Sequence, residues 1–264
     1  MEPLSVAQLS DLANAGHVDE ALAGFRERLK TTSSDEQPLI KLGIFSCLRS
    51  LGESSEAKLV IGNLLAETPA RSETHAWALL AAANLDLDLA DWKSAIEKLQ
   101  RLADGYSWLF GQPELKEDRE EIERKLGHAL LNDGKYGRAL HWLRRAAVDS
   151  AESGPVLFDL GKCRYKLRDY RGAADSLRQA LRSETPSDLL PLVHYYLGMS
   201  EYCLGRHAVA VKEYEWVLEN DPREIVTRAS LYQSFVYVFQ ALGMSDEVNR
   251  YARLLHEAGS STNS

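Results

Sequence analysis

A chain of 264 residues with 45% hydrophobic and 27% charged residues has a globular composition. No apolar run approaches the ~20 residues that a bilayer-spanning helix needs, which excludes a transmembrane helix. The net charge of -8 is unevenly spread, for residues 119 to 182 hold 14 Lys and Arg against 9 Asp and Glu; a basic middle between acidic ends points to a partner with acidic residues.

Cys47, Cys163 and Cys203 are odd in number and far apart, so a disulfide framework is not expected and a reducing, cytoplasmic compartment is. A zinc site would need close Cys or His pairs, and no metal or cofactor is expected. The opening MEPLSVAQLSDLANAG places Glu2 where a secretory signal carries positive charge, and its apolar residues are spaced, so export is not expected.

The chain reads as helix-turn-helix units in which a Gly-containing turn ends helix A and a small Ala early in helix B allows a close crossing. The first unit covers about 2–35, with a turn at Gly16 and helix B through Ala21, Phe25 and Leu29; the second covers 38–71, with Gly52, Ala57, Ile61 and Leu64. In the third, 76–109, Ala90 replaces the turn glycine and Asp91-Trp92-Lys93-Ser94-Ala95 opens helix B. An aromatic insertion at 105–119 follows, with Tyr106, Trp108 and Phe110, and Pro113 with Glu114, Glu117 and Asp118 predicts an early helix start near 114. Glu120/Arg124 and Glu121/Lys125 are spaced to pair along that helix. Units four (120–153), five (154–187) and six (191–224) have turns at Gly134, Arg168 and Gly205; unit seven spans 229–258, and residues 259–264 form a polar tail expected to be disordered.

The register is clearest in Leu126-Gly127 with Ala139, Leu160-Gly161 with Ala173, and Leu197-Gly198 with Ala210, each Gly twelve residues before its Ala. The glycines recur after 34 and then 37 residues. With Leu143/Ala146, Leu177/Ala180 and Tyr214/Pro222 completing the pattern, these residues resemble the tetratricopeptide repeat family. The resemblance implies an all-α, right-handed α-solenoid of antiparallel helix pairs, one continuous array over 1–258, with A helices lining a concave groove that holds a peptide or helix of another protein.

The A-helix positions that such a stack leaves free place Arg124, His128, Lys162, Tyr165, Lys166, Tyr195, Met199, Tyr202 and Tyr237 in the groove. Cations beside tyrosine faces suit a peptide or helix with acidic and hydrophobic residues. The alternative is a solvated face with the tyrosines packed between helices. Lys162 and Lys166 are both expected to face solvent. Tyr106, Trp108 and Phe110 form a second candidate epitope, with structural filler between mismatched units as its alternative.

Nothing resembles a phosphate-binding loop, a nucleophile elbow or a dinucleotide glycine signature, the seven histidines are scattered over separate units, and no enzyme activity is expected. The resulting function is a non-catalytic scaffold or assembly factor for another protein. A peptide- or ligand-sensing regulatory subunit is the alternative, weakened by the lack of an output domain. A nucleic-acid adaptor ranks third: a modular code would repeat in type, yet the ninth positions read Ser10, Ser46, Asn84, His128, Lys162, Met199 and Tyr237, so no nucleic acid is expected.

Overall fold

The computed structural model describes residues 4–149 and 153–261. Expected boundaries that fall on 1–3, 150–152 and 262–264 lie outside the described residues. The described chain is α-helical, with one isolated bridge between Ser153 and Glu184 and no strand. It divides into two compact units, Met1–Asp133 and Gly134–Ser264.

The first unit contains α1 (Val6–Asn14), α2 (Val18–Thr31), α3 (Gln37–Ser50), α4 (Ser54–Glu67), α5 (Glu73–Asp88), α6 (Trp92–Gly105), α7 (Ser107–Phe110) and α8 (Lys116–Asn132). Ser5 and Gln8 cap α1 reciprocally, Ser5 N–H donating to Gln8 Oε1 at 2.8 Å and Gln8 N–H to Ser5 Oγ at 3.2 Å. Asp91 Oδ1 accepts from Ser94 N–H at 3.2 Å to start α6. From α1 to α6 each helix packs on the next, and α1 on α3 and α3 on α5 as well. The core joins Leu9, Phe25, Ile40, Leu48, Leu64 and Leu85. A methyl at Gly43 would lie 2.6 Å from the Phe25 ring, so the absent side chain lets α3 close on α2.

The expected insertion is largely packed. Tyr106 and Phe110 are buried, the Tyr106 hydroxyl accepting from Arg71 N–H at 3.2 Å and Phe110 standing edge-on to Trp77 at 5.4 Å. Of the three aromatics proposed as an epitope, only Trp108, 50% exposed, presents its ring to solvent. The cause is the short helix α7, which turns positions 106 and 110 onto the same side, while 108 faces away. A 3-10 turn at Pro113–Leu115 then leads into α8. There Lys125 reaches Glu121 at 3.2 Å, Arg124 also meets Glu121, and Glu120 meets Lys116 at 3.4 Å.

The second unit contains α9 (Tyr136–Asp149), α10 (Gly154–Lys166), α11 (Tyr170–Ala180), α12 (Leu190–Cys203), α13 (His207–Asn220), α14 (Arg228–Leu242) and α15 (Ser245–Ser261). Each again packs on the next, and α12 touches both α10 and α14, so these three alternate helices lie side by side. The spacing that marks the repeats has a steric origin. A Cβ on Gly161 would stand 2.6 Å from Leu177 Cγ, and one on Gly198 would stand 2.5 Å from Tyr214 Cε1. Leu177 and Tyr214 are four residues after the crossing alanines Ala173 and Ala210, all four buried. The tail expected from 259 instead continues α15 through Ser261, for one glycine costs a helix only about 1 kcal/mol and nothing else in the run breaks it.

At the A-to-B turns the chain enters the left-handed region: Gly16, Gly52, Gly134, Gly205 and Gly243 have φ between 71° and 92°. Ala90 (φ 55°) and Arg168 (φ 63°) adopt the same turn with a side chain attached. Arg168→Gly is therefore expected to raise stability by about 1 kcal/mol, measured by urea denaturation; a decrease would show that the exposed Arg168 side chain stabilises this turn.

Candidate functional site

Seven of the nine predicted groove residues lie on α10, α12 and α14 of the second unit. At about 100° per residue, Lys162, Tyr165 and Lys166 fall on one side of α10, and Leu157, Leu160 and Arg164 on the other. On the adjacent α12, the spacing of Tyr195, Met199 and Tyr202 holds all three along one stripe. Tyr237 follows on α14.

The tyrosines touch. Tyr165 meets Tyr196 edge-on at 5.8 Å between ring centroids, and Tyr196 meets Tyr195 at 6.1 Å and Phe158 at 5.8 Å. Tyr195 in turn lies 6.0 Å from the buried Tyr214 ring, while its hydroxyl accepts from Ser234 Oγ of α14 at 3.3 Å. Contact at these separations fixes ring orientation. Tyr165, Tyr195, Tyr196, Met199 and Tyr202 are half-buried, whereas Tyr237 is 51% exposed.

Burial raises the Tyr165 hydroxyl to about 12 and also raises that of Tyr196, so both stay neutral donors at physiological pH. Lys166 is exposed, but Lys162, expected to be solvent-facing, is half-buried. Burial lowers its pKa, the buried Asp159 carboxylate working against that shift and Lys166 adding to it. Cys203, exposed at the end of α12, has its thiol pKa raised by burial of the sulfur's surroundings, with hydrogen bonds from Tyr170 and Tyr165 opposing. Burial likewise raises Cys47, and Cys163 to about 11, so none of the three thiols is held as the nucleophilic thiolate at neutral pH.

Arg124 and His128 belong to α8 of the first unit. Arg124 donates from Nε and Nη2 to the two Glu121 carboxylate oxygens, both at 2.6 Å, a bidentate contact that occupies its fork. His128 lies edge-on to Trp92 at 6.0 Å, with Asn132 Nδ2 2.9 Å from its Nε2. Tyr196, which joins α10 to α12, was not among the predicted residues; the doublet Tyr195-Tyr196 signals it, but periodicity assigns the two rings to different sides of the helix.

Beneath this surface, charged groups tie the helices together. Glu201 of α12 is fully buried, bridged by Arg178 of α11 and by Arg206 Nη1 at 3.2 Å. Arg164 Nη1 donates to Ser176 Oγ at 2.6 Å and Gly172 O at 3.1 Å, joining α10 to α11. In the first unit the same repeat position is Asp86, whose carboxylate meets Lys98 Nζ at 2.6 Å. No group of three or more His, Cys, Asp or Glu among the described residues is arranged to hold a metal ion.

Paired helices in regular succession, with small residues at the crossings and an aromatic surface on alternate helices, define an α-helical repeat protein. The family model "Tetratricopeptide repeat" matches residues 124–188 and 158–225. The chain is 30% identical over 155 residues to the "Tetratricopeptide repeat-containing protein trd-1" of Caenorhabditis elegans, an alignment that covers 57% of the chain and 17% of that much longer relative. Among solved structures it resembles the C-terminal part of a tetratricopeptide-repeat protein from Cytophaga hutchinsonii, with TM-score 0.66, 14% identity, and 95% and 94% of the two chains covered. It also resembles PilW, described as a type IV pilus biogenesis factor, with TM-score 0.64, 16% identity, and 86% and 94% covered. Residues 124–225 carry tetratricopeptide repeats, and the fold is an α-solenoid of helix pairs like that of the tetratricopeptide-repeat structures it resembles. Proteins of this family are in general scaffolds that bind other proteins and do not catalyse reactions. No helix among the described residues is long and apolar enough to cross a membrane.

Proposed function

We propose that the protein is a non-catalytic scaffold or assembly factor that holds a peptide or helix of a partner protein against α10, α12 and α14. The observation that carries this reading is the run of part-exposed rings from Tyr165 through Tyr196 to Tyr195, flanked by Lys162 and Lys166, with Tyr237 standing free at 51% exposure. Rigid aromatic faces lose little side-chain entropy on binding and supply large contact areas, which is why such rings dominate interface energetics. Lys166 adds a cation for a carboxylate of the partner, and the neutral phenols add donors beside it. Trp108 on the first unit is a second contact for the same partner class. Three free cysteines, two of them buried, agree with a reducing cytoplasmic location.

Because Lys162 sits against Asp159, a Glu there would crowd two carboxylates and confuse folding with binding. The cleaner variant is Lys166→Glu with Tyr237→Ala, both at exposed positions. The partner segment recovered with the wild-type chain and remeasured by calorimetry is expected to bind the double variant at least tenfold more weakly, about 1.4 kcal/mol, with the thermal midpoint unchanged. Equal affinity would reject this surface as the binding site.

A further inference from the structure

A second cleft lies on the other side of α10. It has a volume of about 440 Å³ and is lined by Ala147 of α9, Leu157, Leu160 and Arg164 of α10, and Gln179, Arg182 and Ser183 at the end of α11. That volume is within the usual range for small-molecule sites, roughly 300–1,000 Å³. Its chemistry is divided: an apolar floor of Ala147, Leu157 and Leu160, and a rim of two guanidinium groups and a carboxamide.

The rim cations are not consumed by the fold. Arg164 uses Nη1 to hold α11, while its Nε is buried with no hydrogen-bond partner among the described residues. A buried donor without an acceptor is costly, and a water, an ion or a ligand that supplies the acceptor removes that cost. Arg182 is exposed and makes no ion pair among the described residues, whereas the neighbouring Arg178 is taken by Asp175 and Glu201. The cleft wall is held in place by the Ser153–Glu184 bridge and by Ser183 Oγ donating to Gln179 O at 3.0 Å. Across residues 134–182 the sequence carries 11 Lys and Arg against 5 Asp and Glu, so the surrounding field attracts anions.

We infer that this cleft binds an aliphatic carboxylate, its charged head between Arg164 and Arg182 and its hydrocarbon body on Leu157, Leu160 and Ala147. A carboxylate fits because the two guanidinium groups are donors only and the Gln179 amide can add an N–H, and a planar anion accepts from the guanidinium fork in two parallel bonds. The apolar floor distinguishes the site from a general anion patch, since inorganic phosphate would leave it uncovered. The shared chemistry has two sources, a free short-chain acid or an acidic side chain flanked by apolar residues on a protein segment. This site and the tyrosine surface use opposite sides of α10 and stand or fall separately.

The test is methyl NMR on the full chain, with hexanoate, hexanamide and the capped peptide N-acetyl-Leu-Glu-Leu-amide as probes. Hexanoate or the peptide is expected to shift the methyl signals of Ala147, Leu157 and Leu160 saturably, and the tighter of the two identifies the source. Hexanamide, which keeps the hydrocarbon and lacks the charge, should not shift them. Arg182→Glu, at an exposed position, should weaken binding at least tenfold, and Arg182→Lys, which keeps the charge and loses the fork, should weaken it less. Equal response to hexanamide, no response at those methyls, or undiminished binding to Arg182→Glu would each overturn the assignment.

Discussion

Phe235→Ala is expected to destabilise the second unit by about 4 kcal/mol. Phe235 is fully buried in α14, stacked on Tyr251 of α15 at 4.3 Å, on Phe239 at 5.8 Å, and edge-on to Tyr214 of α13 at 5.7 Å. Truncation removes one large apolar side chain and leaves a cavity that rigid rings on three sides cannot fill, so the lost transfer energy and the cavity term add. Against a total stability of about 5–15 kcal/mol, that is a large fraction. Because repeat arrays lose structure locally, hydrogen exchange should find the loss concentrated in α13 to α15. A change below about 1 kcal/mol would mean that the aromatic cluster repacks around the gap.

Arg178→Ala with Arg206→Ala is expected to cost about 3 kcal/mol, more than either substitution alone. The Glu201 side chain is 0% exposed, and the two arginines, at 35% and 45%, are its bridge to solvent. Removing them strands a carboxylate in an apolar layer, while removing the carboxylate as well relieves the stranded charge. Glu201→Met added to the double variant should therefore recover most of the lost stability, as replacement of whole buried ion groups by apolar residues of similar volume commonly does. Denaturant midpoints of the three chains decide the matter. A double variant within about 0.5 kcal/mol of the parent would show that water reaches Glu201.

These two sites differ in how far they could be read from residues alone. Phe235 sits in a helical apolar pattern, and its burial follows from period. Glu201 was not singled out, because its position three residues after Gly198 is shared with Arg164 and Asp86, residues of different charge. Each finds a different answer among its neighbours: Arg164 bonds to Ser176, Asp86 to Lys98, and Glu201 reaches back to Arg178 of the preceding helix. The same distinction divides the candidate surface. The stripe of Tyr195, Met199 and Tyr202 was legible because spacing within one helix sets direction. The burial of Lys162, the contact made by Tyr196 and the inward turn of Tyr106 and Phe110 depend on helices distant in the chain.

The helix pairs, their register and the points of closest crossing are written in the residues, because they follow from local periodicity and from the steric need for Gly161 and Gly198 opposite Leu177 and Tyr214. The A-to-B turns were legible at their glycines and, from their place in the repeat, at Ala90 and Arg168 as well, where the fold imposes a left-handed conformation that the residue does not prefer. Which charges are exposed, which rings touch, and that Arg164 and Arg182 frame a cleft behind α10 emerge from the packing alone. Exposure and partnership are properties of what packs against a side chain, and the helices that pack there lie many residues away.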